Sequence, residues 1–122
     1  MAYSGTFTAT FSQPVNGIVE EWTTIHDAAT TTDDSGYIDM AGVESFHLDT
    51  EISASATVGV YATSMDSPVD ATEYTQMGSN ITATGFVSYE QKEIPRYVKV
   101  GIFSHGSGTV TVRMKRRRRV YR

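Results

Sequence analysis

Hydrophobic and polar residues alternate with a period of two along most of this chain, the pattern of strands that bury one face. In residues 3–11, Tyr3, Gly5, Phe7, Ala9 and Phe11 fall on one side, while Ser4, Thr6, Thr8 and Thr10 fall on the other. Gln13-Pro14-Val15-Asn16-Gly17 reads as a turn, because Asn-Gly readily takes positive φ angles. Residues 18–26 form a second extended segment, and the polar run 27–36 reads as an exposed loop. Short strands follow at 36–40 and 42–48, the second pairing Phe46 and Leu48 on one face against Ser45 and His47 on the other. The run 52–62 aligns Ile52, Ala54, Ala56, Val58, Val60 and Ala62, and a loop centred on Met65-Asp66-Ser67-Pro68 follows it. Residues 72–77, 79–83 and 85–90 read as strand, corner and strand, with Phe86 and Val87 competing as anchors.

The last two strands are the clearest. After Pro95, Val98, Val100 and Ile102 alternate with Tyr97, Lys99 and Gly101. His105-Gly106-Ser107-Gly108 reads as a hairpin, and Val110, Val112 and Met114 then face inward. Seventeen Thr and twelve Ser, against one Leu and one Trp, favour sheet over helix, since β-branched residues fit a pleated surface. No window carries a helical stripe, and no repeat is visible. The expected fold is all-β: an antiparallel β-sandwich, jelly-roll or Ig-like, of seven to nine short strands with no significant helix. One domain is expected over residues 1–112, with 1–11 as an edge or arm strand and 113–122 as a basic strand extension or tail.

Charge adds what hydropathy does not show. Residues 1–112 hold all fourteen carboxylates and only Lys92, Arg96 and Lys99 as cations, a formal −11, whereas residues 113–122 carry +7. Such asymmetry marks a functional segment on an acidic body. The chain has no cysteine, so disulfides, zinc knuckles, iron–sulfur sites and thiol nucleophiles are excluded. No apolar run approaches the ~18 residues that span a bilayer, and the first residues lack a signal-peptide pattern. The expectation is a soluble protein made in a reducing cytoplasm.

Catalytic patterns are weak. His26, His47 and His105 lie on separate elements without metal-ligand spacing. His105-Gly106-Ser107-Gly108 joins two strands, whereas a nucleophile elbow joins strand to helix. Asp33-Asp34-Ser35-Gly36 does not match a twelve-residue calcium loop, and no glycine-rich phosphate cradle is present. Asn80-Ile81-Thr82 is a glycosylation acceptor only in a secreted chain. No enzyme activity, cofactor or metal is expected. A sugar site would need exposed rings; among Trp22, Tyr61, Tyr74, Tyr89 and Tyr97, the outward Tyr61 and Tyr97 are the candidate ligand-stacking pair.

The basic end RMKRRRRVYR admits three readings: a solvated, self-repelling end, a nucleic-acid contact with Tyr121 stacking on a base, or a protein-docking surface. No linker precedes it, so Arg113 and Lys115 are expected to continue the outward face of the last strand as a cationic sheet edge. Docking on protein is the favoured reading, through Arg113, Lys115, Arg116, Arg117, Arg118 and Arg119, with Arg122 weaker.

Residues 36–112 resemble small β-sandwich modules of the virion proteins of tailed bacteriophages. The matching stretches are Ile38-Asp39-Met40-Ala41-Gly42-Val43, Thr57 to Asp66, Ile81 to Gly85, Arg96 to Val100 and Ser107 to Val112. The resemblance implies a structural role: a capsid decoration (cement) protein, or a neck, tail or fibre part. It brings no shared catalytic residues, and the first strand and the arginine-rich end lie outside it. The expected partners are the major capsid protein or other virion subunits. Further copies of the chain are expected too, a trimer by analogy, with nucleic acid as an alternative through the basic end and no membrane. The expected location is the virion. The readings from other classes are a carbohydrate-binding adhesin module and a nucleic-acid-binding packaging protein.

Overall fold

The alternating segments pair into two antiparallel five-stranded sheets facing each other, the β-sandwich that the pattern predicts. The computed structural model describes residues 2–9, 17–63, 74–90 and 94–119. The first sheet runs in the order β1 (Thr8–Ala9), β2 (Ile18–Ala29), β10 (Val110–Arg119), β5 (Val43–Ile52) and β8 (Gly85–Tyr89). The second runs β3 (Asp33–Asp34), β9 (Tyr97–Ser107), β6 (Ser55–Thr63) and β7 (Thr75–Gln76), with β4 (Ile38–Asp39) also paired to β9. The inner faces meet in a core whose innermost members are Met40, Leu48, Val58, Val60, Val98, Val100, Val110, Val112 and Met114. Each such side chain contributes roughly 1.5–3 kcal/mol by leaving water.

The two sheets are halves of one folded ribbon. β2 leads into β3, β5 into β6 and β9 into β10, each step leaving one sheet and entering the other. Two further crossings lead from β4 into β5 and from Ile81, bridged to Val58 of β6, to β8 beside β5. The crossings are made by small and hydroxylated residues whose side chains take over the backbone hydrogen bonds lost at the bend. Thr109 N–H donates to Ser53 Oγ at 2.7 Å, and Ser53 N–H donates to the Thr109 carbonyl at 3.0 Å. Ile52 N–H donates to Thr84 Oγ1, and Ala28 N–H to Thr111 Oγ1, both at 3.0 Å.

This folding changes several sequence expectations. The segment His105–Gly108 is no hairpin: β9 pairs with β6 and β10 with β2 and β5, so the chain changes sheet at Gly108. Alternation across the bend misleads because both sheets present the same inward periodicity. For the same reason the run 52–62 is two strands, with Ser53 and Ala54 exposed at the crossing between them. The loop expected over 27–36 contains the end of β2 and the pair Asp33–Asp34, which hydrogen-bonds to β9. Neither Phe86 nor Val87 anchors β8; the buried residue is Tyr89, stacked on Phe46 with ring centroids 4.8 Å apart. The turn at 13–16 and the loop at 65–68 lie outside the described residues.

Among its described residues, the first segment pairs as a strand at Thr8–Ala9, against Trp22 and Glu21. Before that it bridges the open side of the sandwich. Tyr3 N–H donates to the Tyr37 carbonyl at the second sheet, while its hydroxyl donates to the Thr24 carbonyl of the first. Tyr3 and Phe7 are half-buried against the core. No helix among the described residues is long and apolar enough to cross a membrane.

Candidate functional site

The basic residues occupy the middle of a sheet. β10 runs without interruption from Val110 to Arg119 between β2 and β5, so it is neither a sheet edge nor a separate appendage. Because side chains alternate across a strand, its cations divide into two sets.

Arg116 and Arg118 turn inward where the row Val110, Val112, Met114 ends. Both reach Glu21 of β2: Arg116 Nε donates to Oε1 at 3.1 Å, and Arg118 donates from Nε at 2.8 Å and Nη2 at 3.3 Å. Arg116 also donates to the Asp39 carbonyl at 2.9 Å and lies over the Phe7 ring, 3.6 Å from its centroid. The Arg116 and Glu21 side chains are each only 11% exposed. Burial pushes the Glu21 carboxyl up, but the Arg118 hydrogen bonds and the Arg116 charge outweigh it and hold the group below the ordinary glutamate range. These two arginines close the end of the core. Arg119 plays a related part at the rim, paired with Glu44.

Arg113, Lys115 and Arg117 point outward and form a row. Lys115 lies between Trp22 and His47, Arg113 between Thr24 and Asp49, and Arg117 between Glu20 and Ser45. Lys115 pairs with Glu20 at 3.0 Å and Arg113 with Glu51 at 3.5 Å, while Arg117 is the one described lysine or arginine without an ion pair. The same face carries two exposed rings, Trp22 at 40% and Phe86 at 71%, with His47 edge-on to Phe86. A shallow pocket of about 210 Å³ opens among Glu20, His47, Glu90, Lys115 and Arg117. Arg122 lies outside the described residues.

The opposite outer face, on the second sheet, holds a groove of about 540 Å³ lined by Thr32, Asp33, Asp34, Tyr61, Lys99, Gly101, Ile102 and Phe103. Gly59 and Gly101 stand directly opposite each other on β6 and β9. A Cβ on Gly59 would overlap the Phe103 ring, so glycine there is what lets that ring lie against the strand. Tyr61 stands nearly perpendicular to Phe103, at 82° with centroids 4.9 Å apart. Lys99 is held by Asp34 at 3.1 Å and sits over the Tyr74 ring. Tyr97 lies away from this groove, against Tyr37 with Arg96 over its ring. Of the two candidate stacking residues, Tyr61 lines this groove and Tyr97 packs beside Tyr37. Phe103 was missed in the sequence because it reads as one more strand aromatic; the glycine two residues before it was the available signal.

Of the histidines, His26 is buried and donates from Nε2 to the Val100 carbonyl at 3.0 Å, tying the two sheets together, and His105 donates to the Gly108 carbonyl at 2.8 Å.

No protein-family model matches the chain, and no curated protein matches it. The fold has a solved counterpart. The crystal structure of the SPBc2 prophage-derived protein YomS superposes with a TM-score of 0.65 at 17% sequence identity, covering 87% of this chain and 99% of that one. The likeness thus includes nearly the whole YomS sandwich, and it establishes a shared architecture.

Proposed function

We propose that this chain is a non-catalytic structural protein of a bacteriophage particle, most concretely a decoration protein that docks on the capsid and ties neighbouring subunits together. The observation that carries the reading is the outer face of the first sheet. A rigid central strand presents Arg113, Lys115 and Arg117 in register, flanked by exposed Trp22 and Phe86. Arginine and large aromatics are the residue types that dominate protein-docking surfaces. The row is interleaved with Glu20, Asp49 and Glu51, so it complements a mixed-charge protein surface better than a run of phosphates. The likeness to a prophage-derived protein supports the phage setting. A neck or tail position fits the same face and differs in copy number.

The test is quantitative mass spectrometry of gradient-purified particles of the phage encoding this chain. Copies on the order of hundreds per particle are expected for decoration, and about six to a few tens for a neck, tail or fibre ring. Absence from the particle overturns the proposal.

A variant with Arg113→Ser and Arg117→Ser should fold normally and lose attachment to particles lacking the wild-type protein, read by co-sedimentation. Substituting all of Arg116–Arg119 would confound this test, since Arg116 and Arg118 hold the core end closed through Glu21.

A further inference from the structure

The groove on the second sheet is built as a platform for a flat, weakly polar ring. Phe103 is 40% exposed, with one side of its ring against Gly59 and Gly101. Tyr61 rises beside it at 82°, so the two rings make a floor and a wall. Both flanking glycines face outward, since their neighbours Val58, Val60, Val100 and Ile102 are buried in the core. Core packing therefore does not require glycine at either position. What the pair creates is space for the ring and the hollow beside it.

Polar groups line one side only. Asp34 projects from the paired edge strand opposite the outward Gly101, its Oδ1 accepting from Gly36 N–H. Asp33, opposite the inward Ile102, turns its carboxylate toward His26, with Oδ2 3.7 Å from Nδ1, and sets its backbone carbonyl beside Gly101. The bond from Gly36 fixes the Asp34 carboxylate while leaving it lone pairs for a further donor. Lys99 is already engaged by Asp34 and Tyr74, so its charge offsets one carboxylate. The site is thus close to neutral, mildly negative, apolar on its floor and rich in acceptors along one rim.

We propose that this groove binds a neutral oligosaccharide, one sugar ring lying on Phe103 against Tyr61 with a hydroxyl donating to Asp34. The C–H face of a pyranose carries partial positive charge and suits the negative face of an aromatic ring. A fixed carboxylate suits a hydroxyl donor, and the net negative rim repels uronic or sialic acids. A volume of about 540 Å³ falls in the range of small-molecule sites. Such an open site gives a dissociation constant on the order of 1 mM per sugar unit. The proposal is independent of attachment to a particle, because it uses the opposite face of the sandwich.

The experiment is NMR titration of the full chain with neutral tetrasaccharides of glucose and of N-acetylglucosamine, with tetramethylammonium and a sialylated trisaccharide as competitors of other chemistry. At least one neutral sugar should shift the Tyr61, Phe103 and Gly101 resonances saturably. Phe103→Ala and Tyr61→Ala should each weaken binding at least tenfold, while Tyr97→Ala leaves it unchanged. Two single-residue variants guard against one failing to fold. No shift with either neutral sugar at 20-fold the expected constant, about 20 mM, overturns the proposal. So does a groove that takes the cation or the sialylated sugar in preference, or sugar binding indifferent to Phe103.

Discussion

Replacing Glu21 by alanine should lower folding stability by about 3 kcal/mol, read as a fall of about 10 °C in Tm. The carboxylate sits between Arg116 and Arg118, and its side chain and that of Arg116 are almost wholly removed from water. Removing it leaves two guanidinium groups facing each other at the end of an apolar core. Breaking a buried pair by deleting one partner costs more than the pair contributes, because the remaining charge stays desolvated. Glu21→Gln should recover part of the loss, since it keeps an acceptor for Arg118.

The same group sets an acid limb. Its folded pKa lies below the ordinary glutamate range, so the stabilisation is complete above about pH 4.3, the unfolded value, and is lost as pH falls through the folded value. Asp39, held low chiefly by the hydrogen bond from Arg96, acts in the same direction. Wild-type protein should therefore lose stability below pH 4 more steeply than Glu21→Ala, and the two Tm curves should converge. Parallel curves would falsify the assignment of Glu21 as the electrostatic closure of the core.

Gly108→Val is the second large effect, at about 3 kcal/mol, or a drop of about 2 M in the urea midpoint. Gly108 has φ +80°, a region that a β-branched residue enters only under strain. A Cβ there would also come 2.9 Å from the Ala54 Cβ and 3.0 Å from its backbone nitrogen, and would overlap Ser53 Oγ. Ser53 exchanges hydrogen bonds with Thr109, so the substitution disturbs two adjacent crossings together. In a free hairpin tip, as alternation suggested, valine would meet the backbone strain alone, without the overlap with Ser53 and Ala54. An unchanged midpoint would contradict the folded-ribbon arrangement.

The groove of the second sheet shows how far local reading reaches. Tyr61 was legible as an outward aromatic because its neighbours Val60 and Ala62 belong to the core face. Its companion Phe103 was not, since the ring depends on Gly59 of a strand more than forty residues earlier in the chain. The cationic strand shows the same limit. Its outward positions Arg113, Lys115 and Arg117 follow from alternation alone, but Glu21 is ninety-five residues from Arg116, and only pairing of β2 with β10 brings them together.

By itself, the sequence determined the fold class and most of the inward positions. Period-two alternation, abundant threonine and the near absence of leucine leave sheet as the way to bury Val58, Val60, Val98, Val100, Val110 and Val112. Tertiary structure alone decided which sheet each strand joins, because inward periodicity is identical on both sides of a bend. It also decided that the basic run is a central strand. Charge repulsion within that run argued for an exposed end, and carboxylates supplied by β2 and β5 outweigh the repulsion once the sheet forms.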